Sequence, residues 1–295
     1  MSARLTFIHA LSALHAGTGQ GVGVIDLPIA REKATGLPFL SGSSLKGPLR
    51  SRCPAEKRTL VFGPEATNIP GSENQASPTQ FSDQRLLLLP IRSLAGTFAW
   101  VTSPYILQRF VRDMKEVLSN IQTPSVPDIK NEQCAIAKDV SKITIGTPQK
   151  TVYLEDLDLP VQADQDMTSW AQWIGQQVFP DDTVWQTMLE ERFCLVPDDI
   201  FNFLIETATE ITARIKLLED SKTVQDGGLW YEEALPAETI LSGILLVNLM
   251  PSTKITETDI FKILQDLTTG NAVQFGGKAT VGRGMCHVLI GKEGK

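Results

Sequence analysis

The sequence predicts an α/β sandwich, and three observations predict it. Strand-length apolar runs alternate with amphipathic helical stretches at both ends of the chain. Segments rich in Gly, Pro, Ser and Asn separate these runs. Between the two ends lies a long insertion that mixes loops, short helical pieces and one pair of β-like arms.

The elements follow in chain order. "RLTFIHALSALH" is apolar and β-compatible and reads as a first strand, and "AGTGQGVGVIDLP" after it reads as a glycine-punctuated loop. "GSSLKGPLRSR" opens like a helix. Ser43 or Ser44 suits its N-cap, Leu45 and Leu49 share one face, and Lys46 and Arg50 share a neighbouring one. "GPEATNIPGSENQASPTQFSD" reads as an exposed or poorly ordered loop. "RLLLLPI" and "GTFAWVTS" read as strands. "SPYILQRFVRDMKEVLSNI" is the clearest helix, with Ser103 as cap and Pro104 at the first position. Residues from about 123 to 200 give short helix-like pieces around Trp170–Trp173 and Trp185–Leu189. "ITARIKLLEDSKTVQDGGLWYEEALP" reads as two extended arms joined by the turn-rich "DSKTVQDGG". "TILSGILLVNLM" is a buried strand, "TETDIFKILQDLTTG" a capped helix ending at Gly270, and "GMCHVLIGK" a last strand. The end elements arrange as two β-α-β halves, the split ferredoxin-like pattern that RNA-recognition domains also use.

Composition narrows the function. The chain has 295 residues, 42% hydrophobic and 21% charged, which is ordinary for a globular protein. Its apolar runs are far shorter than a membrane span, and Met1 leads straight into strand-like sequence with no secretory h-region. Cys53, Cys134, Cys194 and Cys286 have no paired spacing for zinc and read as free thiols. A cytoplasmic protein is expected. Net charge is −7, yet residues 1–58 carry +5 and the remainder −12, which fits a local basic surface on an acidic body.

Four stretches can carry chemistry. In "GSSLKGPLR", a helix N-terminus with Lys46 and Arg50 resembles a phosphate cradle, although capped helices with a lysine are common. In "FGGKATVGRG", Gly276, Gly277, Gly282 and Gly284 allow close backbone approach to a polyanion, and Lys278 and Arg283 add charge. A plain flexible turn fits the same residues, and the pattern is neither a Walker loop nor a dinucleotide fingerprint. The third is His15 with Asp26, around the glycine loop. Asp26 sits inside the apolar "VIDLP", where a carboxylate needs a partner if it is buried, and a turn or capping role also suits it. In "DGGLWYEEALP", Trp230 and Tyr231 offer stacking faces, and Glu232 and Glu233 offer proton acceptors or metal ligands. A hairpin arm with packed aromatics and solvated acids fits these residues too.

Together the stretches "LHAGTGQGVGVIDLPIAREKATGLPFLSGSSLKGPLRS", "VTSPYILQRFVRD", "KTVQDGGLWYEEALP" and "GGKATVGRG" resemble the RAMP superfamily of CRISPR proteins, in particular the repeated backbone subunit of the type III-B (Cmr) effector complex. One departure is "FLSGSS" where the family reads "IPGSS". Residues 62–83 and about 123–200 match nothing in the pattern.

The resemblance implies an RRM-like, ferredoxin-like palm with long insertions, namely a fingers-like helical part and a thumb β-hairpin. It implies one domain over residues 1–295, with the palm drawn from about 1–103 and 237–295 and the inserted region from about 104–236. Copies would stack head to tail along a guide CRISPR RNA, beside other Cmr subunits. Each would cut a complementary target RNA at regular intervals in a reaction that needs Mg2+ or Mn2+ and leaves a cyclic phosphate. Asp26 would be the residue required for cutting, as base, metal ligand or positioning group, with His15, Tyr231 and Glu232 behind it. Ser43, Ser44, Lys46, Arg50, Gly276, Gly277, Lys278 and Arg283 would hold the guide. A non-catalytic guide-coating subunit is the alternative. A stand-alone nucleotide-utilising enzyme stands further off, because the Walker pattern is absent.

Overall fold

The computed structural model describes residues 1–19, 21, 23–64, 76–118, 121–137, 139–249 and 255–291. The first part of the chain forms β1 (Ser2–Ala10), β2 (Phe39–Leu40), α1 (Gly42–Arg52), α2 (Ala55–Phe62), β3 (Thr79–Phe81), β4 (Gln84–Arg92) and β5 (Phe98–Thr102). The middle forms α3 (Pro104–Val117), β6 (Cys134–Ala137), β7 (Thr144–Ile145), β8 (Thr151–Leu154), β9 (Leu157–Asp164), α4 (Gln165–Val178), α5 (Thr183–Arg192), β10 (Phe193–Leu195) and α6 (Asp198–Thr207). The last part forms β11 (Glu210–Leu217), β12 (Val224–Ala234), β13 (Ile240–Val247), α7 (Glu257–Thr268), β14 (Val273–Gln274), a 3-10 turn (Ala279–Val281) and β15 (Met285–Ile290).

Four strands set the architecture. They stand side by side in the order β15-β1-β13-β4, each antiparallel to its neighbour. This is the split β-α-β arrangement expected from the chain ends, with α1 and α7 as its two helices. The sheet continues from β4 through β5, β10, β6, β9, β8 and β7. β11 and β12 form a separate two-stranded sheet.

The core explains the sequence pattern. Leu86, Leu87, Leu88 and Leu89 are all buried, as a continuous apolar run in a sheet covered on both faces should be. Side chains alternate along β1, and the alternation locates the layers. Arg4 stacks on Phe261 of α7, whereas Phe7 meets Phe110 of α3 and His9 meets Phe179 and Trp185 beside α4 and α5. Helices therefore cover both faces of β1, so neither face is an open platform for bases. Gly243 of β13 makes room for a buried amide. A Cβ there would lie 2.2 Å from Gln84 Nε2, and Gln84 Oε1 accepts the Thr6 hydroxyl at 2.9 Å.

Two local expectations are corrected. Ser41 caps α1, accepting the Ser44 N–H at 3.3 Å, so Ser43 and Ser44 lie in the first turn. The hairpin turn lies at residues 218–223, ahead of most of "DSKTVQDGG". Gly227 and Gly228 belong to β12, opposite a register shift between Ile215 and Leu217. A Cβ on Gly228 would lie 2.7 Å from the Gln225 carbonyl oxygen, so these glycines serve an irregularity in the ladder rather than the turn. The loop expected at 63–83 falls largely on residues 65–75, outside the described residues. Among the described residues no helix is long and apolar enough to cross a membrane.

Candidate active site

The site lies where the long β1–β2 connection crosses the root of the β11–β12 hairpin. After β1, three single bridges hold the chain: Leu14 with Leu235, Gly17 with Ile29, and Leu27 with Glu232. The Leu27 N–H donates to the Tyr231 carbonyl at 3.1 Å, and the Glu233 N–H donates to the Leu27 carbonyl at 3.0 Å. The Ala30 N–H donates to the Ala16 carbonyl at 2.7 Å. Residues 26–31 therefore form a strap that uses β12 and the segment after His15 as its ladder partners.

The strap resolves the chemistry of "VIDLP". Ile29 is buried and Asp26 is exposed, so the carboxylate escapes desolvation. Its Oδ2 accepts the backbone N–H of Tyr231 at 2.8 Å, which fixes the side chain at the hairpin root and leaves Oδ1 without a partner among the described residues. Tyr231 itself is partly exposed.

Glu232 and Glu233 are consecutive on a strand and face opposite ways. Glu232 is almost fully buried. Its Oε1 takes Lys278 Nζ at 2.7 Å and Trp230 Nε1 at 2.8 Å, and its Oε2 lies 3.4 Å from Arg214 Nε. Burial alone would raise this carboxyl. The hydrogen bonds from Lys278 and Trp230 and the charges of Lys278 and Arg214 outweigh burial and hold it at about 2. The ionised clamp thus stabilises the fold above the ordinary value of 4.5 and loses that contribution only as pH falls through about 2. Such a carboxylate is a poor proton acceptor near neutral pH. On the opposite side, Glu233 Oε2 accepts the Ile29 N–H at 3.1 Å and its Oε1 meets Arg31 Nη2 at 2.6 Å.

His15 sits in a cradle of glycines. Its Nδ1 is 2.6 Å from the Glu233 carbonyl. A carbonyl only accepts, so Nδ1 carries the hydrogen and the neutral ring presents Nε2 as an acceptor. A Cβ on Gly17 would lie 2.5 Å from Nε2, and one on Gly276 would lie 2.3 Å from the His15 carbonyl oxygen. The Gly277 N–H donates to that same carbonyl at 3.0 Å.

The two glycine-loop cations are engaged within the chain. Lys278 is paired with Glu232 and lies 5.9 Å from the centre of the Trp230 ring. Arg283 is buried, donating from Nη2 to the Thr212 hydroxyl at 3.0 Å with Nη1 3.6 Å from Glu210 Oε2. The loop thereby clamps the hairpin base. In α1, Arg50 donates to the Gly63 carbonyl at 2.6 Å, while Lys46 makes no ion pair among the described residues. Partial burial, then the charge of Arg50, lowers Lys46 from its ordinary value. Ser43 is exposed at the helix N-terminus.

The structure therefore brings Asp26, His15, Tyr231, Glu232, Gly276, Gly277, Lys278 and Arg283 together at the hairpin root. Ser43, Ser44, Lys46 and Arg50 sit on α1, which packs against β14 and α7. Sequence reasoning missed Arg31 and Arg214 and ranked Glu233 below Glu232. A lone arginine in the apolar "LPIARE" was the available signal for Arg31, but its partner is 202 residues away.

The described residues contain no group of three or more His, Cys, Asp or Glu side chains placed to hold a metal ion. Glu232 and Glu233 are both paired to cations, whereas Asp26 keeps one carboxylate oxygen without a partner among the described residues. A Mg2+ or Mn2+ ion would have to take most of its ligands from elsewhere.

The fold and site define a split β-α-β protein with a clamped hairpin, whose acidic strap and glycine loop meet at the hairpin root. The chain belongs to the RAMP superfamily, whose family profile matches residues 7–287. It is 35% identical over 299 residues to the CRISPR system Cmr endoribonuclease Cmr4 of Pyrococcus furiosus, covering 98% of this chain and 96% of that protein. It is 25% identical to the CRISPR system CMR subunit Cmr4 of Saccharolobus solfataricus, covering 96% and 94%. The crystal structure of oligomeric Cmr4 from Pyrococcus furiosus superposes with a TM-score of 0.76 at 28% identity over the whole of both chains. A type III-B Cmr-beta complex bound to cognate target RNA contains a chain of the same fold, with a TM-score of 0.72 at 22% identity over 98% and 97%.

Proposed function

We propose that this chain is the repeated backbone subunit of a type III-B CRISPR RNA-guided complex, binding guide RNA and cutting complementary target RNA at regular intervals. The observation that carries the reading is the exposed Asp26 carboxylate, held by the Tyr231 N–H at the hairpin root. Near-complete alignment with a relative named as a Cmr endoribonuclease supports it. The oligomeric relative supports association of copies of this chain. We place those copies head to tail, beside other Cmr subunits, in the cytoplasm. The palm is assigned to about 1–103 and 237–295, and the insertion with the thumb hairpin to about 104–236.

The chemistry follows from RNA itself. The 2′-hydroxyl attacks the adjacent phosphorus and gives up its proton, the bond from phosphorus to the 5′-oxygen breaks, and that oxygen takes up a proton from water. A cyclic phosphate and a 5′-hydroxyl result. Asp26 Oδ1 is the open acceptor for the 2′-hydroxyl proton, and the Tyr231 N–H keeps the carboxylate in place. His15, with its tautomer fixed by Glu233, lines the same strap. Glu232 acts through structure, holding Lys278, Trp230 and Arg214 at the hairpin base. In the alternative role, Asp26 would be one ligand of a divalent ion that supplies charge stabilisation, and the described residues alone do not cage such an ion.

Complex assembled with guide RNA, labelled complementary target and Mg2+ or Mn2+ should cut the target at evenly spaced positions. Intact target in an assembled, target-bound complex would sink the nuclease reading and leave a guide-coating subunit.

Guide binding is assigned to the α1 N-terminus, with Ser43, Ser44 and Lys46 foremost. Arg50 is held on α1 by the Gly63 carbonyl, whereas Gly276, Gly277, Lys278 and Arg283 would meet the guide from the hairpin root, where they contact His15, Glu232 and Thr212. Lys46→Ala should weaken guide binding and flatten its dependence on log salt by about 0.7, the value for one fewer phosphate neutralised on a single strand. An unchanged slope takes Lys46 off the RNA path.

A further inference from the structure

We propose that Glu233, paired with Arg31, is the positioning residue of this site: one buried side chain and its own backbone set both Asp26 and His15. This rests on the reading of Asp26 as the cutting residue.

Four contacts converge on Glu233. Its Oε2 takes the Ile29 N–H at 3.1 Å, and its Oε1 takes Arg31 Nη2 at 2.6 Å. Its own N–H binds the Leu27 carbonyl at 3.0 Å, and its carbonyl binds His15 Nδ1 at 2.6 Å. Leu27 and Ile29 follow closely on Asp26, so the strap is fixed just beyond the working carboxylate. Arg31 is anchored in turn by the Gly36 carbonyl at 3.1 Å and the Ile205 carbonyl at 3.0 Å.

The Asp26 backbone is tied to the hairpin only by the few bonds of a bridge, and a short strap held by so few bonds opens locally. A buried carboxylate that accepts both a strap N–H and a strap guanidinium couples two strap residues to the hairpin at once. Removing its charge leaves the Arg31 guanidinium without its counter-ion and loosens the strap, while Asp26 itself is untouched. Glu233 touches no reacting atom in this account.

The test uses assembled complex carrying Glu233→Gln, Asp26→Asn, or both. Single-turnover cutting by Glu233→Gln should fall ~10–100-fold, the cost of misplacing a catalytic group by about an ångström, with target affinity essentially unchanged. The double variant should cut no more slowly than Asp26→Asn, because the two residues act through one group. If Glu233→Gln does not assemble, Arg31→Lys carries the test. It keeps the charge but loses the fork that reaches Glu233, Ile205 and Gly36 together, and its cutting rate should also fall at unchanged target affinity. The proposal is overturned if the assembled variant cuts at the parent rate, if only target affinity falls, or if the two losses multiply. Wild-type cutting by Asp26→Asn would instead remove the reading on which this proposal rests.

Discussion

Asp26→Asn complexes should assemble, bind guide and target normally, and cut target about 10²–10⁴-fold more slowly, the usual loss for a positioned acid-base group. The structure makes this substitution clean. Asp26 is exposed, and an Asn oxygen can still accept the Tyr231 N–H that now meets Oδ2 at 2.8 Å. Neither the core nor the strap ladder depends on the charge. A purely structural aspartate predicts the opposite pattern, with assembly impaired and the surviving complexes fully active. Measuring cutting against both the fraction assembled and pH distinguishes the two. Parent-like rates at the same sites would place the chemistry elsewhere.

Gly276→Ala should destabilise the isolated subunit by about 2–5 kcal/mol, from a left-handed backbone forced on a residue with a Cβ and from overpacking. Gly276 has φ +70°, and the added carbon would lie 2.3 Å from the His15 carbonyl oxygen, a backbone atom that cannot swing aside. That oxygen also accepts the Gly277 N–H. Relief would have to move the segment that carries His15, so cutting should fall along with melting temperature. Gly282→Ala is the control. It shares a positive φ but has open space around its Cβ position, and it should cost only the backbone term of about 1–3 kcal/mol. Equal melting temperatures for the two variants would show that close packing on His15 contributes nothing.

The elements are readable wherever local chemistry decides them. Ser103 and Pro104 open α3, a Thr256–Asp259 capping box opens α7, and Gly270 follows its end with φ +72°. The apolar runs of β1, β4 and β13 are visible because their burial is continuous. Sequence misplaces the cap of α1 because Ser41, Ser43 and Ser44 carry the same hydroxyl, and only backbone geometry chooses among them. It misplaces the hairpin turn because glycines mark ladder irregularities as well as turns.

Sequence by itself determined the split β-α-β ends and the hairpin arms, because periodicity and caps are short-range signals. What each charged residue does was decided by tertiary structure. "FGGKATVGRG" looks like a polyanion cradle, yet its Lys278 neutralises Glu232, its Arg283 binds Thr212, and its glycines close on His15. Glu232 and Glu233 are indistinguishable neighbours in sequence, but strand alternation sends one to the glycine loop and the other to Arg31 on the strap. Ionic and hydrogen-bond partners are set by proximity between residues far apart in the chain, and no local pattern encodes that distance. Asp26 keeps a free carboxylate oxygen because the fold exposes it while pairing the acids around it.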